Sequence, residues 1–275
     1  MKIVVLKGGE EAIPLAHSTR AGSRVTRASG AVALSGDGQR WVLVNVSPLV
    51  ADQLATDARL LRHHGLPDAS LRAVVLTDAQ VDHVTGLLSL RDGVPIHLYA
   101  TPAVFEELTQ ALPVLPMLQH YCGVHWRVVP VAGDRPVASF RVEGMPSLQF
   151  TAVATQSPLP PHLASQVPGE QPQVGDSIAL AVQDLATGQR VFCAPGLAQI
   201  GATEWEWMRE ADCLLLDNLL PDAGTTVSDQ PWLALLRGMP ARHKVLFADE
   251  PDADGDATWA DEGIALAYDG MEIEL

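Results

Sequence analysis

Positive charge is scarce in this 275-residue chain: 18 Lys and Arg stand against 33 Asp and Glu, a formal net charge of −15. A surface that acidic is repelled by duplex nucleic acid and by anionic membranes, which excludes both as expected partners. Cysteine is scarce too. Cys122, Cys193 and Cys213 are isolated, with no C-x-x-C pair, so there is neither a disulfide framework nor a thiolate metal site of the usual spacing. Cys193 and Cys213 sit in apolar runs and read as buried, inert thiols, which fits a reducing cytoplasm. Also lacking is any apolar run long enough to span a bilayer. The N-terminus opens directly on Ile3-Val4-Val5-Leu6 rather than on a charged segment followed by a long apolar one. A soluble, cytoplasmic chain is expected.

What is present is a strong globular signal. Apolar residues make up 47% and charged residues 19%, and the length suits one large domain over residues 1–275. The 20 prolines and 22 glycines imply many short elements joined by turns. Strands are expected at Ile3–Leu6, Ala31–Leu34, Trp41–Val46, Ala73–Leu76, Ile96–Tyr99, Trp126–Val129, Ser139–Val142 and Leu148–Val153. A second set follows at Ser177–Val182, Arg190–Cys193, Cys213–Leu216 and Lys244–Phe247. Ser35-Gly36-Asp37-Gly38 and Ala186-Thr187-Gly188 mark hairpin turns. Helices start at Ser47-Pro48 and Thr101-Pro102, where proline's missing N–H costs nothing, at Thr203, and at Ser228 or Asp229. Both halves run hairpin strands first and strand–helix alternation second. That order suits an α/β protein of two packed mixed sheets with helices outside, a four-layer αββα sandwich. The long Pro-, Gln- and Ser-rich stretch from Thr155 to Gly175 reads as a functional loop.

The most informative segment is Thr77-Asp78-Ala79-Gln80-Val81-Asp82-His83-Val84-Thr85-Gly86-Leu87, which follows the strand Ala73–Leu76. An Asp-His pair past a strand end, ahead of a Gly-Leu helix start, resembles the way metallo-β-lactamase-type sites present metal ligands. That family's string is H-x-H-x-D-H; here Asp82 and His83 stand, while Asp78 and Gln80 occupy the first two ligand positions. A plainer reading remains for each. His83 could hydrogen-bond within the sheet, Asp82 could cap the following helix, and Asp78 and Gln80 read as hydrogen bonders at the loop end. Asp176 follows a glycine and could simply form a turn. Asp217 closes an apolar strand, where sites tend to gather.

More specifically, the chain resembles the coenzyme PQQ synthesis protein B family, a branch of the metallo-β-lactamase superfamily. The blocks that carry this are collinear: Met1–Leu6, Trp41–Pro48, Asp78–Leu88, Gly175–Leu180, Ala194–Leu197, Ala211–Asp217 and Tyr268–Leu275. The resemblance implies the αββα fold and a role in making pyrroloquinoline quinone (PQQ) from a Glu-Tyr-derived precursor. It also implies mononuclear non-haem iron chemistry on the tyrosine-derived ring, or in an older view a transport role. Asp82 and His83 match the family's metal-binding pair, and Asp78 and Gln80 match its own departures from the lactamase string. Ala194-Pro195-Gly196-Leu197 stands where hydrolytic relatives carry a bridging Asp, which disfavours a dinuclear zinc hydrolase.

Three departures bear on the chemistry. Residues 6–27 contain no cysteine, so the family's structural zinc is not expected. Ala248 occupies the place of a ligand His, and a His-containing stretch after Asp217 is missing. A facial triad needs two imidazoles and one carboxylate. Asp82 and His83 supply one of each, leaving His162 in the long loop, or Asp249, as candidates to complete an Fe(II) site. The expectation is therefore a PQQ-pathway protein that binds PQQ or a precursor, with Asp82 and His83 at the site, a reduced or absent metal centre, and His162, Asp176, Asp217 and Gln80 as ligand contacts. The alternatives are an iron hydroxylase and a PQQ carrier. A homodimer, or association with other proteins of the pathway, is open. His63-His64 read as solvated, His120 and His125 as structural, and Asp252-Ala253-Asp254-Gly255-Asp256 as an acidic loop lacking the Gly and Glu of an EF-hand.

Overall fold

The computed structural model describes residues 1–7, 30–48, 50, 54, 72–91, 94–157, 159–160, 162, 172–197, 200–217, 231–247 and 263–275. The strands are β1 (Lys2–Lys7), β2 (Ala31–Ser35), β3 (Val42–Val44), β4 (Arg72–Val75), β5 (Ile96–Ala100), β6 (Val124–Val128) and β7 (Val137–Phe140). Then come β8 (Leu148–Ala154), β9 (Ile178–Asp184), β10 (Arg190–Ala194), β11 (Cys213–Asp217), β12 (His243–Phe247), β13 (Ala265–Leu266) and β14 (Glu272–Glu274). Helices α1 (Val81–Val84), α2 (Pro102–Gln110), α3 (Val114–Leu118), α4 (Ala202–Arg209) and α5 (Pro231–Arg237) complete the described elements, with a 3₁₀ segment at Thr85–Leu90.

Two seven-stranded sheets form, in the orders β14-β1-β2-β3-β4-β5-β6 and β13-β12-β11-β10-β9-β8-β7. Period-2 side-chain alternation explains why they pack as they do. Ile3 and Val5 of β1, and Val32 and Leu34 of β2, join Phe150, Leu180, Val191, Cys193 and Leu215 in the core between the sheets. The alternate residues Val4, Leu6, Ala31 and Ala33 turn outward and pack with Val104 and Leu108 of α2 and Leu87 of the 3₁₀ segment. Phe192, Ala194, Leu214 and Leu216 do the same against Met208 of α4 and Leu236 of α5. Strands buried on both faces read as unbroken apolar runs, and that is how β1, β11 and β12 read. The fold is the expected αββα sandwich.

Several boundaries differ from the expectation. The strand at Trp41–Val46 is cut to Val42–Val44, because Asn45 adopts φ 58 and turns the chain out of the sheet. The segment Ser139–Val142 begins earlier, at Val137, and the short strands β13 and β14 and helix α3 carried no clear periodic signal. Asp82 does not cap the site helix. Gln80 is the N-cap, without a side-chain cap bond, and Asp82 sits in the first turn. The expected caps at Ser228 and Asp229, most of the helix after Ser47-Pro48, His63-His64, the Ala248–Glu250 turn and the Asp252–Asp256 loop lie outside the described residues.

One glycine sets how closely the site helix meets the first sheet. Gly86 N donates to Val46 O at 3.0 Å, and Val46 N donates to His83 O at 2.7 Å. A Cβ at Gly86 would stand 2.0 Å from Ser47 O and 2.5 Å from Val46 O, both backbone atoms that cannot swing aside. Gly86→Ala is therefore expected to destabilise the protein by about 3 kcal/mol or more. Urea unfolding checks this, and a loss under about 1 kcal/mol would contradict the close packing.

Candidate functional site

The site forms where the loop after β4 meets the second sheet; Ile178 N of β9 donates to Thr77 O at 2.8 Å. Its orientation begins at Asn45, which is fully buried and left-handed, a conformation Asn tolerates better than most residues. Asn45 Oδ1 accepts from Thr77 N at 3.0 Å, and Asn45 Nδ2 donates to Thr77 Oγ1 at 2.9 Å. Thr77 Oγ1 in turn donates to Asp78 Oδ2 at 3.1 Å. Asp78 Oδ1 accepts from Gln80 N at 2.9 Å and faces His83 Nδ1 at 2.7 Å. Asp78 and His83 are both buried, with 4% of each residue exposed, so neither ring nor carboxylate is free to rotate into water.

Burial by itself pushes the His83 imidazole down, because a charged ring loses hydration. The charge and hydrogen bond of Asp78, followed by the charges of Asp217 and Asp82, outweigh that and hold His83 above its ordinary value. Asp78 thus biases the His83 ring toward its protonated form in a dry setting.

Gly196 forms the facing wall. Its φ of +88° favours glycine, and a Cβ there would come within 3.3 Å of Asp78 Oδ2 and 3.8 Å of His83 Cε1. Its peptide is clamped from both sides: Gly196 N donates to Asp217 Oδ2 at 3.2 Å, and its carbonyl accepts a short bond from Ser157 Oγ. Ser177 Oγ donates to Ser157 Oγ at 3.2 Å and shares a 3.0 Å bond with Thr155 Oγ1. Thr155 also lines a cleft of about 410 Å³ with Gln156, Gln173, Thr203 and Glu204, at the lower end of the size range of ligand pockets.

A second polar group stands near the first. Glu107 of α2 places Oε1 2.6 Å from His162 Nε2, with 9% of the Glu107 side chain exposed. Burial first, then the charges of Asp176 and Asp78, push the Glu107 carboxyl up to about 8. Burial lowers His162. Thr101, the N-cap of α2, ties this helix to the Asp176 turn by donating to Gly175 O at 2.6 Å. Asp176 Oδ2 accepts from Gln173 N at 2.7 Å, as a turn-forming aspartate does.

The residues singled out in sequence fall into three groups. His83 and Asp217 meet at Gly196, with Asp78 as the direct partner of His83. His162 and Asp176 belong to the Glu107 group. Asp82 is exposed on α1, and Gln80 is half-buried beside it. Asp249 lies outside the described residues. Asn45, Glu107 and Ser157 join them, outside the site residues expected from the sequence. Asn45 carried a readable signal, a polar residue inside Val44-Asn45-Val46. Glu107 had a weaker one: it follows Val104 by three and adjoins Leu108, on the buried side of α2, while Glu106 made the pair look solvated.

Among the described residues, no three His, Cys, Asp or Glu side chains converge as a metal cluster. His83 offers one imidazole nitrogen, Nε2, and the remaining nearby donors are carboxylates. The described donors therefore do not fit a two-imidazole facial triad.

The two facing mixed sheets, with the site at the loops past β4 and β10, define a metallo-β-lactamase-type fold, and residues 40–247 match the beta-lactamase superfamily domain. The coenzyme PQQ synthesis protein B of Pseudomonas aeruginosa is 36% identical over 279 aligned positions, covering 90% of this chain and 88% of that protein. Its counterpart in Azotobacter vinelandii is 34% identical, covering 94% and 92%. The chain belongs to the coenzyme PQQ synthesis protein B family. The crystal structure of zinc-bound PqqB from Methylobacterium extorquens, 22% identical, covers all of both chains with a TM-score of 0.76 and shares the fold.

The Asp78–His83 contact makes a direct prediction. Asp78→Asn removes the largest influence raising the His83 pKa and leaves burial opposed only by Asp217 and Asp82, so the value should fall. A group raised on folding stabilises fully below its unfolded pKa and loses that contribution as pH rises through the folded value. The parent should therefore lose stability from about pH 6.5 upward, and the variant should show less of that slope. Imidazole NMR titration and urea unfolding at several pH values check both statements.

Proposed function

We propose that this chain serves PQQ biosynthesis by binding PQQ or its amino-acid-derived precursor, at a site whose metal centre is reduced relative to an oxygenase. The observation that carries this reading is the donor set around His83 among the described residues: one imidazole, paired through Nδ1 to Asp78, with carboxylates beside it. The sequence adds Ala248 where the family resemblance implies a second imidazole. A buried His83 ring that Asp78 biases toward protonation suits an anionic ligand, since each charge-assisted hydrogen bond there is roughly twice as strong as a neutral one. Gly196, without a side chain, lets the turn after β10 pack closely against Asp78 and His83. The acidic surface supports a small-molecule partner rather than nucleic acid. Binding without turnover is also what a carrier requires.

A second reading, the iron-dependent hydroxylase, has one specific support. Metal-ligating histidines usually give their other ring nitrogen to a carboxylate, as His83 gives Nδ1 to Asp78. Iron bound at such a site supplies dioxygen activation. The residues here would hold it through His83 Nε2 and neighbouring carboxylates, with Asp78 fixing the ring.

One pair of measurements separates the readings. Purified protein is titrated with PQQ, and its metal content is taken after anaerobic loading with Fe(II) or zinc. The binding reading expects PQQ to bind the metal-free protein and His83→Ala to weaken it about tenfold, the loss of one charge-assisted contact. Stoichiometric iron that vanishes in His83→Ala, with no PQQ affinity in the metal-free protein, would move the assignment to the hydroxylase.

A further inference from the structure

The start of β5 and β6, at the end of the first sheet away from His83, carries a separate set of metal-ligating side chains. The two strands run parallel, and His97 stands beside His125 as its cross-strand partner, so both rings rise from one face. β4 aligns Ala73 with His97, which puts the pair roughly 15 Å back along the strands from Asp78. The ring centres are 5.1 Å apart and the planes are inclined at 49°. His97 is enclosed, with 12% of its side chain exposed, while His125 is exposed. Beside them stands Glu143, from the turn that joins β7 to β8 in the second sheet, with Oε2 3.4 Å from His97 Nδ1. Arg127, two residues on from His125, donates to that Oε2 at 2.9 Å, and Glu143 N donates to Tyr99 Oη at 2.8 Å.

His97 Nδ1 is buried and makes no hydrogen bond among the described residues. Buried polar atoms are satisfied as a rule, so an orphan ring nitrogen calls for a partner. An ion pair with Arg127 accounts for the Glu143 carboxylate but leaves that nitrogen unmatched. The spacing fits a shared cation. Two donors on one tetrahedral zinc, each about 2.0–2.1 Å from it, stand about 3.3 Å apart, and two imidazoles on it have their centres about 5 Å apart. The separations of 3.4 Å and 5.1 Å match both values. Arg127 brings a positive charge close by, but its bond to Oε2 is the outer contact that a ligating carboxylate usually makes.

We propose that His97, His125 and Glu143 form a binding site for a divalent transition-metal cation of the zinc type, which joins the β5–β6 end of the first sheet to the β7–β8 turn of the second. Two imidazoles and one carboxylate suit such a cation, whereas magnesium and calcium take oxygen donors. His97 Nδ1 and Glu143 Oε2 already stand at ligand spacing. The three side chains do not yet converge on one point, and the exposed His125 ring is the one free to turn and close the set. This site is separate from the one at His83 and draws nothing from the PQQ reading.

The test titrates zinc chloride into the full chain at about pH 7.5, above the ordinary imidazole pKa, with magnesium chloride as control, and follows the imidazole rings by NMR. One equivalent of zinc should move the His97 and His125 ring signals together, and magnesium should move neither. Calorimetry on the parent, His97→Ala, His125→Ala and Glu143→Gln is the second readout. Each histidine variant should bind one zinc fewer, or bind it at least tenfold more weakly, and Glu143→Gln about tenfold more weakly, since even outer contacts of a metal site carry that much. His125 is exposed, so His125→Ala keeps the fold, which circular dichroism checks. Zinc should also raise the urea midpoint of the parent by more than that of His125→Ala. Zinc that leaves the His97 and His125 signals in place and moves only His83 or His162 overturns the proposal and bears on the His83 site alone. Equal stoichiometry and affinity in the parent and His125→Ala overturns it as well.

Discussion

The contact on which the site depends is the one between Asp78 and His83, 2.7 Å apart and shut away from water. Two charges in a dry setting hold together only when their remaining hydrogen-bonding capacity is met. Here that work falls to backbone and neighbours: Gln80 N and Thr77 Oγ1 bind the carboxylate, and Asn45 fixes Thr77 from the end of β3. The strain of a left-handed Asn45 is small beside the cost of leaving Thr77 N and Asp78 unsatisfied in the interior. Gly86 then lets the helix carrying His83 lie directly on the Val46–Ser47 backbone. The geometry of the pair is thus inherited from the sheet rather than from the loop that contains it.

From this pair outward the site is a problem in charge. The chain carries a large excess of acid, and its site is acidic as well, yet the family's chemistry concerns a carboxylate-rich quinone. Three physical devices reduce the local negative charge without a single Lys or Arg among the contacts described around it. The His83 ring opposes Asp78, a peptide N–H opposes Asp217, and burial pushes the Glu107 carboxyl up to about 8. The hydroxyl chain Thr155–Ser177–Ser157 holds Gly196 without adding charge. Such devices are weaker than an arginine clamp, but they can be tuned by pH and by a neighbouring charge in a way that an arginine cannot.

Much of the architecture was legible in the chain because strand burial imposes a period that side chains must obey. Runs such as Cys213–Leu216 and Val4–Leu6 can only be strands covered on both faces, and ten further strands were legible in the same way. The turn at Ser35–Gly38 was equally plain. What escaped was short or aperiodic: β13, β14 and α3 are too brief to establish a period. The end of β3 at Asn45 escaped for another reason, since a single left-handed residue outranks the β propensity of its neighbours.

The motif from Thr77 to Leu87 shows where local information ends. The residues themselves determined that Asp78, Asp82 and His83 would stand just past a strand end, and the collinear blocks determined the family, because both depend only on order along the chain. Which carboxylate meets the imidazole was decided in three dimensions. Helix α1 turns Asp82 outward to solvent, while the loop geometry set by Asn45 and Gln80 brings Asp78 inward to His83. The approach of Glu107, Gly196 and Asp217 was likewise decided by tertiary packing. They come from segments far apart in the chain, and no sequence period relates residues that meet only because two sheets close over a common core.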